Sequence, residues 1–254
     1  MEINYMRRMI SNIIIVILVG VMAYSGYQLW SIYSEYKKGT DTYDESAASY
    51  VSDKTAADTP SDASGPQCPI DVNFQELQAV NPDVVGWIYC ADTQVNYPVV
   101  RGADNDQYLH HMYNGQYNSA GSIFMDYQNH PDLSDYNTII YGHHMKNGSM
   151  FAMLRQYRDQ AYYEEHKEIW YLTPDHVYLL SPIAGYVGDA VAEVYTHFAD
   201  QQQLDSYLAF AFANTDFKAE NIPDTISQIV VLSTCSYEHE DARYVVVCAP
   251  ILIQ

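Results

Sequence analysis

Basic residues are scarce in this chain. Its 254 residues include 12 Lys and Arg against 32 Asp and Glu, a formal net charge of −20. Phosphate affinity needs clustered Lys and Arg, so the balance argues against a nucleic-acid partner. Cysteine is sparse too: Cys68, Cys90, Cys235 and Cys248 are the four, with no CxxC among them. That count is too low for a disulfide scaffold, although one Cys68–Cys90 bridge stays open in an exported protein. Cys248 lies in an apolar run and reads as a buried, inert thiol. No glycine-rich phosphate loop and no internal repeat occurs, which removes the P-loop and solenoid classes. The pairs His110-His111 and His143-His144 lack a ligand spacing such as HExxH, so no metal is expected.

What the chain does have begins at its N-terminus. Arg7 and Arg8 precede a hydrophobic segment, residues 9–30, and no further basic residue occurs until Lys37. As a helix the segment is roughly 33 Å long, a match to a bilayer core. The charge asymmetry favours an inside-to-outside orientation, with Tyr24, Tyr27 and Trp30 at the outer interface. A cleaved signal peptide is the rival reading, since Ala23-Tyr-Ser25 is a passable small-x-small site. Either way the bulk of the chain is exported. Residues 31–68 are rich in Ser, Thr, Ala, Asp and Gly and read as a flexible polar stalk. The organisation expected is therefore 1–30 cytoplasmic tip and anchor, 31–68 stalk, and 69–254 catalytic domain.

Within that domain the patterning predicts a short helix between residues 69 and 80, closed by Asn81-Pro82. Strands are expected over 84–89, 94–100, 121–125 and 138–141, with a helical turn at 104–111. Helical spacing marks 149–165 and 201–213. A strand pair turning at Gly188-Asp189 is expected over 177–197, and strands 226–234 and 243–253 close the chain. Many short strands with inserted helices predict an α+β domain on an antiparallel, barrel-like sheet.

Three residues carry chemistry. If the last two strands pair antiparallel, Cys235 and Arg243 face each other across a loop mouth. A thiolate is a strong nucleophile, and a nearby cation stabilises it or an oxyanion formed by its attack. The missing acid and base is usually histidine, and Tyr141-Gly-His143 offers one at a strand end. His144 is the alternative member of that pair. Glu238, His239, Glu240 and Asp241 read as a solvated loop rather than as triad partners.

Leu232-Ser-Thr-Cys235 with Arg243 after seven intervening residues, and Tyr-Gly-His upstream, resemble the sortases, cysteine transpeptidases of Gram-positive surfaces. Val85-Gly-Trp-Ile88, Val95-Asn-Tyr-Pro-Val99, Asp104-Asn105, Tyr108-Leu109 and Met150-Phe151 look like class B. The resemblance implies a sortase-like β-barrel, Cys235 as nucleophile, His143 as proton donor to the leaving amine, and Arg243 holding substrate or oxyanion. It also implies that Ser233 and Thr234 line the substrate groove and that no cofactor or metal is required. The partners implied are surface proteins bearing a sorting signal such as Asn-Pro-x-Thr, and an amine acceptor from a peptidoglycan precursor or a pilin. Two rivals share the residues. One is an exported Cys-His peptidase that releases its acyl group to water; the other is a non-catalytic surface-binding module.

Overall fold

The computed structural model describes residues 2–54, 65–189, 197–235 and 242–253. The apolar N-terminal segment forms a helix, α1 (Glu2–Tyr50), that does not stop where the hydrophobic residues do. Its hydrophobic part is long and apolar enough to cross a membrane. The continuation through residues 31–50 departs from the expected coil, and the reason is a concealed helical stripe. Glu35, Gly39, Tyr43, Ser46 and Tyr50 recur every three or four residues on one face. Gly39, Tyr43 and Ser46 on that face are buried. Asn118 Nδ2 donates to the Glu35 carbonyl at 3.0 Å, and Ser119 N donates to Glu35 Oε1 at 2.9 Å. Tyr43 Oη donates to the Gly121 carbonyl. A Cβ on Gly39 would meet Asn118 Oδ1 at 3.0 Å, so its absence permits this close approach.

Beyond α1, a strand β1 (Val51–Asp53) pairs with β2 (Ile70–Val72), tying the helix end to the domain. Helix α2 (Phe74–Val80) begins at Asn73, whose side chain accepts from Glu76 N, and ends at Asn81, as the proline there requires. Strands β3 (Val84–Tyr89), β4 (Asn96–Val100), β5 (Ile123–Met125) and β6 (Asn137–Tyr141) follow. The 104–111 region is a turn rather than a helix, because Asp104 Oδ1 takes the amides of Asp106 and Gln107.

The helical patterning of 149–165 resolves into two pieces, a 3₁₀ segment (Ala152–Arg158) and α3 (Gln160–Glu165). Asp159 separates them by capping α3, accepting from Ala161 N at 3.0 Å. Strand β7 (Ile169–Leu172) is an addition to the elements expected from the sequence. Strand β8 (Val177–Asp189) runs straight through Gly188-Asp189, which pair with Arg243 and Ala242 instead of turning. The expected second strand of that pair, residues 190–197, lies almost wholly outside the described residues. Helix α4 (Gln201–Asn214), β9 (Ile229–Cys235) and β10 (Ala242–Leu252) complete the chain.

Eight strands close into a barrel in the order β10-β8-β7-β3-β4-β5-β6-β9. Most seams are antiparallel; β4–β5 and β6–β9 are parallel. The parallel β6–β9 seam makes both strands end at the same rim. Cys68, Cys90 and Cys248 are buried free thiols, so the Cys68–Cys90 bridge is not formed. Burial pushes the Cys90 thiol up to about 12 and the Cys248 thiol higher still.

Candidate active site

Three adjacent strands converge at that rim. Across the β9–β10 seam Arg243 is directly opposite Cys235, the last residue of β9. Across the β6–β9 seam Tyr141 is level with Ser233, and Gly142 N donates to the Ser233 carbonyl at 3.0 Å. His143 therefore leaves β6 at the level where Cys235 ends β9. Gly142 admits only hydrogen at its Cα, since a Cβ would lie 2.5 Å from Ile123 Cδ1 and 2.7 Å from the Phe151 ring. Strand alternation assigns positions 233, 235 and 243 to one face of the sheet and position 234 to the other.

His143 is half-buried, with Nε2 2.8 Å from the Leu109 carbonyl and its ring stacked at 5.9 Å on His110. A carbonyl can only accept, so Nε2 carries the proton of that bond and Nδ1 is the nitrogen left to gain or lose one. His143, Arg243, Ser233 and Thr234 all border a cavity of about 160 Å³, with Asn105 and Leu109 on its far side. His144 turns away from it: it bridges to Met150 and lines a separate cavity with Met145 and Arg155. Ser233 Oγ and Thr234 Oγ1 are buried without a hydrogen-bond partner. Each such hydroxyl costs about 1–3 kcal/mol of desolvation, a cost that a bound polar group at the rim would offset.

Below the cavity sits a polar network that the sequence did not disclose. The buried Asp126 carboxylate accepts from Tyr141 Oη at 3.0 Å and Asn105 Nδ2 at 2.9 Å. Asn105 Oδ1 in turn accepts from Tyr127 N at 3.1 Å. These bonds fix Asn105 and Tyr141 at the cavity border. The Leu109 carbonyl is equally hidden, because a backbone atom leaves no residue-type signal. Glu238, His239, Glu240 and Asp241 lie outside the described residues. Among the described residues, no group of three or more His, Cys, Asp or Glu is placed to hold a metal.

The sortase domain family matches residues 88–251. Sortase B of Listeria monocytogenes is 32% identical over 235 residues, 91% of this chain and 92% of that protein. The structure of sortase B from Bacillus anthracis in complex with AAEK1 superposes with a TM-score of 0.72 at 32% identity, covering 87% of this chain and 100% of that one. Staphylococcus aureus sortase B matches at 32% identity with a TM-score of 0.67 in a substrate complex, covering 71% of this chain and 85% of that one. The same enzyme matches equally when complexed with triglycine. A barrel whose rim aligns Cys235, His143 and Arg243, and relatives that cover nearly the whole chain, lead to one assignment: the chain belongs to the sortase family of cysteine transpeptidases, as a class B member.

Proposed function

We propose that Cys235 is the nucleophile, His143 the general acid and base, and Arg243 the oxyanion-stabilising cation of this transpeptidase. The observation that carries the reading is the strand register, which aligns Arg243 with Cys235 and brings His143 to the same rim. The Cys235 thiolate attacks the carbonyl after threonine in a sorting signal of the Asn-Pro-x-Thr kind. The carbonyl π pair moves onto oxygen, where the Arg243 guanidinium stabilises the charge. Collapse breaks the C–N bond while His143 Nδ1–H gives its proton to the departing amine. The thioacyl group then waits for an amine, whose proton returns to His143 as the thiolate leaves.

Ser233, on the same sheet face as Cys235 and Arg243, borders the acyl side of the substrate groove. Thr234 borders it from the next position along β9. The substrate and triglycine complexes of the staphylococcal relative support the two-substrate form of this scheme. The acceptor is an amine of a peptidoglycan precursor or of a pilin. No step requires a metal or a cofactor.

Residues 9–30 of α1 supply a single membrane span, with 69–254 as the catalytic domain on the outer face. Arg7 and Arg8 on one side, and the lack of basic residues on the other until Lys37, support this orientation. The decisive experiment follows the acyl group by mass spectrometry after mixing the full chain with an Asn-Pro-x-Thr peptide library. A thioester on Cys235 and an amide product with added amine are expected, and Cys235→Ala should show neither while staying folded. Free acid alone across a broad amine panel would replace transfer by hydrolysis. More than a few per cent of turnover by folded Cys235→Ala would overturn the nucleophile assignment.

A further inference from the structure

The cavity at the rim is not the largest in the molecule. One of about 540 Å³ lies between residues 36–44 of α1, the β3–β4 turn, and the segment after His143. Tyr36, Tyr43, Tyr97, Asp44, Gln94 and Asn147 are among the residues that border it, and no Lys or Arg does. Tyr43 and Tyr97 are buried and meet edge to face at 5.2 Å, so this side of the cavity is pre-formed.

Its chemistry selects a ligand. One carboxylate beside aromatic rings attracts an ammonium group, and the lack of any cation disfavours phosphate or carboxylate. The side-chain amides of Gln94 and Asn147 supply donors and acceptors of the kind a peptide backbone needs. The volume falls within the roughly 300–1,000 Å³ typical of small-ligand sites.

Its wall is also mechanically joined to the proposed general acid. Residues 143–151 form a hairpin whose stem is closed by Phe151 N donating to the His143 carbonyl at 3.0 Å. The bridge between His144 and Met150 lies just inside that stem. The hairpin tip borders the cavity through Met145, Asn147 and Met150. Met150 N donates to Tyr97 Oη at 3.1 Å, and Gln94 Nε2 reaches the Asn147 carbonyl at 3.4 Å.

We propose that this cavity is the subsite for the acceptor peptide, holding an ammonium group other than the attacking amine against Asp44 and the tyrosine rings. The inference rests on the transpeptidase reading for its role, but the binding itself can be measured without turnover. The full-length Cys235→Ala chain, in detergent micelles with ¹³C-methyl methionine, is titrated with Gly-Gly-Gly-Lys-amide. A second titration uses the analogue with norleucine in place of lysine.

The lysine peptide should shift the Met145 and Met150 methyl signals saturably, and the norleucine peptide should bind at least tenfold more weakly. Asp44→Asn should bring the lysine peptide to the norleucine level. Equal binding of the two peptides, or shifts that avoid both methyls, would overturn the assignment. In the active chain, Asp44→Asn and the mouth-filling Thr40→Trp should lower the ratio of transfer to the lysine peptide over transfer to hydroxylamine at least tenfold. Hydroxamate with an unchanged ratio rejects the cavity. Lack of hydroxamate in the parent chain rejects the transpeptidase reading, and the methyl titration then decides the cavity alone.

Discussion

Gly121→Ala should disable the enzyme from a position that touches no substrate. Gly121 has φ +56°, and a Cβ there would overlap the Leu109 carbonyl oxygen and lie 2.6 Å from that of Tyr108. Neither oxygen is free to yield. The Tyr108 carbonyl accepts from Ser122 N at 3.0 Å, and the Leu109 carbonyl holds His143 Nε2 at 2.8 Å. Restoring an ordinary C···O contact of about 3.3 Å requires Leu109 to withdraw by roughly 1 Å. Left-handed strain adds about 1–2 kcal/mol.

A total near 3 kcal/mol is expected, which lowers the melting temperature by about 6–12 °C in a domain of this size. Misplacing an acid and base by roughly 1 Å costs about 10²-fold in kcat. Gly115→Ala is the matched control: its φ is +80°, yet nothing lies within 4 Å of a Cβ there. It should lose only about 1 kcal/mol from the same conformational strain and keep its kcat. Calorimetry and signal-peptide turnover read both quantities. A folded Gly121→Ala with kcat within threefold of the parent, or an equal kcat loss in Gly115→Ala, would refute the link from Gly121 through Leu109 to His143.

His143→Ala should lose about 10²–10⁴-fold in turnover, with His144→Ala much milder, because His144 lines a different cavity; the reverse ranking in a kinetic assay would exchange their roles. Arg243→Lys should stay badly impaired although charge is kept, since an ammonium lacks the planar fork of donors, and near-parental rates would reduce Arg243 to a point charge. Thiol titration after denaturation should count all four cysteines, whereas the native chain at pH 8 should alkylate at one equivalent. Cys90, pushed up to about 12 by burial, is thiolate there in only about one molecule in 10⁴. Trimming residues 1–30 should leave the melting temperature of the domain intact, while trimming 1–67 should lower it. The longer cut removes the buried Tyr43 and strand β1, and loss of a buried aromatic costs about 3–5 kcal/mol.

The barrel and the cysteine–histidine–arginine constellation are legible in the sequence because each depends on side-chain type. Apolar alternation marks most strands, and the seven-residue gap between Cys235 and Arg243 implies their register before any coordinates. Harder to see are features written in backbone atoms. The Leu109 carbonyl that fixes the His143 tautomer could be any residue's carbonyl. Helix α1 beyond Trp30 is masked by composition: Ser, Thr, Asp and Gly suggest coil, while the buried stripe of Gly39, Tyr43 and Ser46 uses only a few positions. Tertiary packing supplies the stability that propensity withholds. Strand β7 escapes notice because four apolar residues, Ile169 to Leu172, are too short a run for periodicity to identify. The long β8 is wrongly divided at Gly188-Asp189, where turn-forming residue types occupy paired strand positions.

The unbroken passage of α1 from its apolar stretch into the barrel has a consequence for how this enzyme meets its substrates. A coil of about 37 residues would let the rim wander over a hemisphere, sampling heights and directions at random. Helix α1 instead holds the barrel through Glu35 and Tyr43, only five and thirteen residues beyond Trp30. With the proposed span in place, those anchors stand roughly 8 Å and 20 Å along the helix axis from the end of the apolar segment. The rim then keeps a constant altitude and a constant bearing, and encounter becomes a two-dimensional search by lateral diffusion. Only partners that present their signal or their amine at that altitude are met, whatever their abundance farther out in the wall.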